Sequence, residues 1–190
     1  MLIVMQVSNS SSKFGVVSIA VHWLVAVVVF GLFGLGYWMV DLSYYDDWYR
    51  TGPDIHRSIG ILLLLVMLFR LIWRLFNPLP GPLSSHSRFE VLAANGVHLL
   101  LYLLIFVAMA SGYLISTADG SSISVFSWFD VPSVTGQIKG MEDIAGLVHY
   151  WSTWALVVLA GLHGLAAIKH HLIDRDDTLR RMLGTDRRQS

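Results

Sequence analysis

Four long apolar runs constrain this chain more than any other feature: Val16 to Val40, Ile55 to Phe76, Ala93 to Ser116 and Ile144 to Leu172. A helix needs about 20 residues to cross a hydrocarbon core of about 30 Å, so each run is long enough to span a bilayer. Backbone in lipid must satisfy its own hydrogen bonds, and a helix does so without help from neighbouring segments. The composition agrees, with 55% hydrophobic and 14% charged residues and a mean hydropathy of +0.60, too apolar for an ordinary soluble domain. The expected fold is all-α: a transmembrane four-helix bundle over 16–172, preceded by a segment 1–15 and followed by a basic tail 173–190. The first run is too long for a cleaved signal peptide, and no A-x-A site follows it.

The linkers carry the expected punctuation. NPLPGPLSSHS, Asn77 to Ser87, is a Pro, Gly and Ser region that must end the second helix. Asp41 to Asp54 and Ala118 to Asp143 are polar and aromatic. Although the net charge is zero, the basic residues are unevenly placed. Lys13, Arg70, Arg74, Arg88, Lys169, Arg175, Arg180, Arg181, Arg187 and Arg188 fall on one side, and only Arg50, Arg57 and Lys139 on the other. The basic side is expected to be cytoplasmic, which puts both termini and the 77–93 loop inside. No stretch resembles a nucleic-acid-binding face.

Cysteine is absent, which excludes disulfides, thiolate ligands, iron–sulfur clusters and covalent C-x-x-C-H haem attachment. Histidine is left as the main soft ligand, and its positions are patterned. His149 and His163 lie fourteen residues apart in the fourth run. At about 100° and 1.5 Å per residue they share nearly one helix face and differ in depth by about 21 Å. With helices alternating in direction, His56 on the second helix falls at the outer level of His149, and His22 on the first at the inner level of His163. Taken singly, a buried transmembrane histidine is an ordinary interhelical hydrogen-bonding group. Four of them at two matched depths instead fit a flat metal macrocycle between each pair, with one imidazole on either face.

Other residues have a functional and a plain reading side by side. Gly60 lies one turn after His56, Gly161 and Gly164 flank His163, and Gly146 precedes His149; Gly31, Gly34 and Gly36 run through the first helix. Small residues admit a large planar ligand, or only another helix. Arg70, fourteen residues after His56, is placed to meet an acidic group of an inner cofactor or to anchor at the interface. Arg74 reads as the anchor. His98 is a hydrogen-bonding neighbour of the inner site, a wall of a quinone pocket, or a structural residue. His170 and His171 are candidates for a quinone contact or proton relay, or a polar helix end. His86, in a loop, is expected to be solvated.

At these residues the chain resembles the prokaryotic cytochrome b561 family. The carriers are the HW of His22 and Trp23, H-R-S-I-G from His56 to Gly60, and H-x13-H from His149 to His163. KHHLIDRDDTLRRM from Lys169 to Met182 adds to them, as do WMVDLSYYD from Trp38 and YLISTADG from Tyr113. The resemblance implies two non-covalent b haems in a bacterial inner membrane, held by His22 with His163 on the inner side and His56 with His149 on the outer. Arg70 would then face a propionate, with His98, Gly60 and Gly164 near the cofactors. It also implies electron exchange with the quinone pool, ubiquinone above all, and an outer donor or acceptor. One subgroup hints at a periplasmic lipocalin-like isoprenoid-binding partner, and the Gly-rich first helix permits a homodimer.

Superoxide oxidation coupled to ubiquinone reduction is a known activity within that family. Here the outer loops carry eight acidic against three basic residues, a net of about −5 that repels an anion. Two further alternatives are a cytochrome b subunit anchoring a hydrogenase or dehydrogenase, and a non-haem, histidine-lined metal transporter. The loops offer no large docking platform for the first, and the spans lack the paired acids that would balance a cation for the second.

Overall fold

A computed structural model describes residues 6–185; Arg187 and Arg188, counted in the charge asymmetry, lie outside them. Four long helices dominate: α1 (Val16–Met39), α2 (Thr51–Phe76), α3 (Arg88–Ser116) and α4 (Met141–Lys169). Among the described residues these four stretches, the last extended to Asp174, are long and apolar enough to cross a membrane. Their large apolar side chains point outward: Val27 is 69% and Leu75 74% exposed, the reverse of a soluble bundle. Lipid is the solvent that makes such a surface stable.

Three helices begin earlier than the apolar runs. Before Ile55, α2 takes up Thr-Gly-Pro-Asp, with Pro53 in the first turn where its missing N–H costs no bond, and Asp54 at the positive helix end. The start of α3 is fixed by a capping box: the Ser87 N–H and hydroxyl donate to the Glu90 carboxylate at 2.8 and 2.9 Å, while the Glu90 N–H donates to Ser87 Oγ at 3.3 Å. Glu142 and Asp143 occupy the first turn of α4. Apolar runs mark the lipid-facing length, whereas the added first turns carry acidic residues at the positive helix ends and, in α3, a capping box.

Contacts divide the described chain into two compact units, each taking a segment of all four helices. The first comprises 6–26, 66–100 and 159–185. Here Trp73 Nε1–H donates to Ser18 Oγ at 3.1 Å, and Asn9 Oδ1 accepts from the Gly15 N–H and the Ser18 hydroxyl at 2.9 and 2.7 Å. The Asn77–Ser87 loop is tied down by Asn9 to the Pro78 carbonyl at 3.0 Å and by Arg181 to the Gly81 carbonyl at 2.7 Å. Beyond α4 a π-helical turn, His170–Asp174, leads through Arg175 at φ 55° into a short α5 (Thr178–Leu183). The Trp23 indole donates to the Met182 carbonyl at 2.7 Å, holding α5 against α1.

The second unit comprises 27–65 and 101–158. Its long 118–140 connection contains an antiparallel hairpin, β1 (Ile123–Val125) with β2 (Phe129–Val131), register Val125 to Phe129. Phe126 and Ser127 both take positive φ in its turn, 48° and 59°. Ile123 and Val125 pack on Ile61 of α2, with Tyr113 of α3 beside them. Tyr113 also donates its hydroxyl to the Pro132 carbonyl at 2.8 Å and accepts from the Val134 N–H at 2.9 Å, pinning the loop over the helix ends.

Candidate functional site

Each unit brings together a pair of histidines from two different long helices. In the second, His56 of α2 and His149 of α4 bring ring centroids to 6.2 Å with planes at 77°. The His149 Nδ1–H donates to the Ala108 carbonyl at 2.8 Å, with Ser111 Oγ 3.3 Å away. That bond fixes the tautomer and leaves Nε2 as the free lone pair. A Cβ on Gly112 would lie 3.1 Å from the His149 ring, and one on Gly36 would lie 3.1 Å from the His56 ring. The neighbouring helices α3 and α1 therefore present bare backbone to the two imidazoles. His56 Nδ1 is buried with no hydrogen-bond partner among the described residues.

Both histidines line a cavity of about 1290 Å³, together with Phe33, Gly60, Gly146 and Trp154. This exceeds the roughly 300–1,000 Å³ of an ordinary small-molecule pocket. A Cβ on Gly60 or Gly146 would meet no other atom within 4 Å, so neither glycine is required for a protein–protein approach. Arg57, Lys139, Asp119 and Glu142 also line the cavity, two bases against two acids, and Arg57 is ion-paired with Asp54.

In the first unit, His22 of α1 and His163 of α4 bring ring centroids to 6.4 Å with planes at 75°. His98 of α3 is closer to His163, at 5.1 Å. The Arg70 guanidinium lies 3.1 Å from His22 Nδ1 and can only donate to it. Nothing lies within 4 Å of a Cβ on Gly161 or Gly164.

The two pair separations can be tested against a metal between rings. A metal–imidazole bond is about 2.0–2.1 Å and the nitrogen sits roughly 1.1 Å from its ring centroid, so two imidazoles that shared one ion would have centroids at most about 6.2–6.4 Å apart. Both pairs lie at this limit, and His98–His163, at 5.1 Å, lies inside it. The orphaned His56 Nδ1, the Ala108-fixed tautomer of His149 and the cavity lined by α1, α2, α3 and α4 would suit a group held by His56 and His149.

The remaining histidines are distributed differently from one another. His171 Nδ1 is buried without a hydrogen-bond partner among the described residues. His170 Nδ1 lies 2.8 Å from Asp174 and 3.1 Å from Asp176. His86 is not solvated: its side chain is 17% exposed and its Nε2 lies 3.1 Å from Asp176, because the pinned 77–87 loop carries it onto the chain beyond α4. Burial opposes ionisation of Asp176, yet hydrogen bonds from Thr178 and His86 outweigh it and hold the carboxyl below its ordinary range.

Four helices long and apolar enough to cross a membrane, with paired histidines among them, define a multi-pass helical membrane protein. The family model described as prokaryotic cytochrome b561 matches residues 13–185, and the chain belongs to that family. It is 54% identical to cytochrome b561 homolog 2 of Escherichia coli (strain K12) over 180 residues, 95% of this chain and 96% of that one. It is 28% identical to a probable superoxide oxidase of Yersinia pestis over 90% of this chain and 96% of that one. With cytochrome b561 homolog 1 of Escherichia coli (strain K12) the identity is 25% over 90% of this chain and 97% of that one. Membership makes this a haem-linked membrane electron-transfer protein.

Proposed function

We propose that the chain carries electrons across a bacterial inner membrane through two non-covalent b haems, between the quinone pool on the inner side and a periplasmic donor or acceptor. The observation that carries this reading is the pair of ring separations, 6.2 Å for His56–His149 and 6.4 Å for His22–His163. Haem iron held by two imidazoles supplies one-electron exchange without an open coordination position. The protein's part is to hold those imidazoles. The Ala108 carbonyl keeps His149 Nε2 free for the metal, and Gly112 and Gly36 let α3 and α1 press on the rings. For His22 to offer Nε2, the Arg70 guanidinium must leave Nδ1, and a carboxylate at the inner site is the partner that would draw it away.

Both termini are cytoplasmic in this reading, by the distribution of Lys and Arg. Of the two inner candidates for a quinone contact, His171 carries the proposal: its buried Nδ1 is uncommitted, whereas His170 is engaged by two carboxylates. His98, packed on His163, belongs to the inner haem's surroundings. A periplasmic lipocalin-like partner and a homodimer stay proposals on the resemblance alone. The test is reduction of the oxidised, purified protein by a short-chain ubiquinol, followed at its b-type absorption bands. Full reduction is expected, slowed at least tenfold in His171→Ala with the spectrum retained; a protein no quinol reduces would overturn the quinone link.

Superoxide is a second reading, because one relative is described as a probable superoxide oxidase. The outer charge of about −5 opposes it, although the cavity wall is itself balanced between two bases and two acids. Near-diffusional superoxide oxidation that is insensitive to salt would reverse our preference.

A further inference from the structure

His86, His170 and Asp176 take no part in holding either haem, yet they converge. The three donors come from two stretches of chain more than eighty residues apart. His86 Nε2 and His170 Nδ1 each lie 3.1 Å from Asp176 Oδ2, and all three donor atoms fall within 4.8 Å of one another. We propose that these residues form a site for one first-row divalent transition ion of the zinc class, joining the Asn77–Ser87 loop to the end of α4.

Four observations carry it. Metal–donor bonds of about 2.0–2.1 Å at tetrahedral angles set donor–donor distances of about 3.3 Å, close to the two 3.1 Å separations. Two imidazoles and one carboxylate suit zinc and its neighbours, and calcium or magnesium would demand oxygen ligands. The Asp176 carboxylate is oriented from behind, because its Oδ1 accepts the Thr178 N–H at 2.8 Å, leaving Oδ2 toward the imidazoles. Finally, the backbone is bent to assemble the set. The π-helical turn and Arg175, at φ 55°, fold the chain back so that the Asp176 N–H reaches the His170 carbonyl at 3.1 Å. Such π-turns occur frequently at functional sites.

The charged neighbours argue against a rival set. Asp174 lies 2.8 Å from His170 Nδ1 but is ion-paired with the Lys169 ammonium at 2.6 Å, which repels a cation. Glu90 spends its carboxylate on the Ser87 N–H and hydroxyl as the cap of α3. Side-chain exposures of 17% for each histidine and 9% for Asp176 leave an approach from solvent for the ion and a water as fourth ligand.

The test uses full-length, tag-free protein in detergent and zinc chloride as the probe. Equilibrium dialysis with elemental analysis is expected to give one zinc per chain, and zinc-edge X-ray absorption to give nitrogen and oxygen neighbours at about 2.0–2.1 Å. His86→Gln, on the loop, and Asp176→Asn, beyond α4, should each weaken binding at least tenfold while helical circular dichroism is unchanged. Asp174→Asn and Glu90→Gln should stay within threefold of wild type. No zinc retained at micromolar free metal overturns the site, as does unaltered binding in both His86→Gln and Asp176→Asn. Loss confined to Asp174→Asn overturns it too. None of these outcomes bears on the haem reading, which uses other side chains.

Discussion

Gly112→Ala tests whether helix α3 is shaped to the His149 ring. The added Cβ would sit 3.1 Å from one ring carbon and 3.3 Å from Nδ1, tighter than an ordinary contact of about 3.4–4 Å. The ring cannot simply slide, because Nδ1 is held by the Ala108 carbonyl at 2.8 Å on the same helix as the intruding methyl. Overpacking of this kind costs about 1–3 kcal/mol, and if it falls on the liganded geometry the outer haem binds roughly 5- to 150-fold more weakly. Alanine in place of glycine meanwhile favours the helix by about 0.5–1 kcal/mol, so the two effects can be separated. The assay is haem content and midpoint potential of the purified variant beside its thermal melting. Gly34→Ala serves as control, since a Cβ there meets nothing within 4 Å. The expected result is loss or shift of one haem signal in Gly112→Ala alone, with helical circular dichroism retained and melting lowered only as far as the weaker haem binding accounts for. Equal haem content and potentials in wild type, Gly112→Ala and Gly34→Ala would refute the reasoning.

Three further outcomes follow from the same geometry. Arg70→Gln removes the cation beside His22 and should lower the midpoint potential of one haem by the equivalent of about 1–2 kcal/mol, leaving the other, as read by redox titration. Ser87→Ala removes the α3 cap and should cost about 0.5–2 kcal/mol in a thermal or denaturant melt without altering either haem spectrum. Replacing Phe126 and Ser127 by Asn and Gly supplies residues that tolerate positive φ, and should protect the hairpin amides from hydrogen exchange more strongly than in wild type.

Helix existence was legible because lipid selects for it: a run of 20 apolar residues has few other folds open to it. The proximity of His22 to His163 and of His56 to His149 was legible for a related reason, since a costly side chain repeated on alternating helices carries positional information. What supports those rings was less readable. The Ala108 carbonyl is a backbone group invisible in sequence, and Gly112 lies in an Ala-Ser-Gly stretch indistinguishable from ordinary helix packing. The Ser87–Glu90 capping box could have been found from its S-x-x-E spacing. The hairpin could not, because its strands are three residues each and its turn holds Phe-Ser where Asn-Gly is the usual signal. His86 looked like a solvated loop residue because its partner Asp176 lies beyond a π-turn that no sequence period announces.

The central claim is that His56 with His149 and His22 with His163 each hold one b haem. Its most direct measurement is the reduced-minus-oxidised absorption spectrum, with haem stoichiometry, of the four single alanine variants. Wild type should contain two b haems per chain; His22→Ala and His163→Ala should lose one and the same spectral component, and His56→Ala and His149→Ala the other. Loss of one component in both His22→Ala and His56→Ala, or a wild-type protein without visible b-type absorption, would contradict the account.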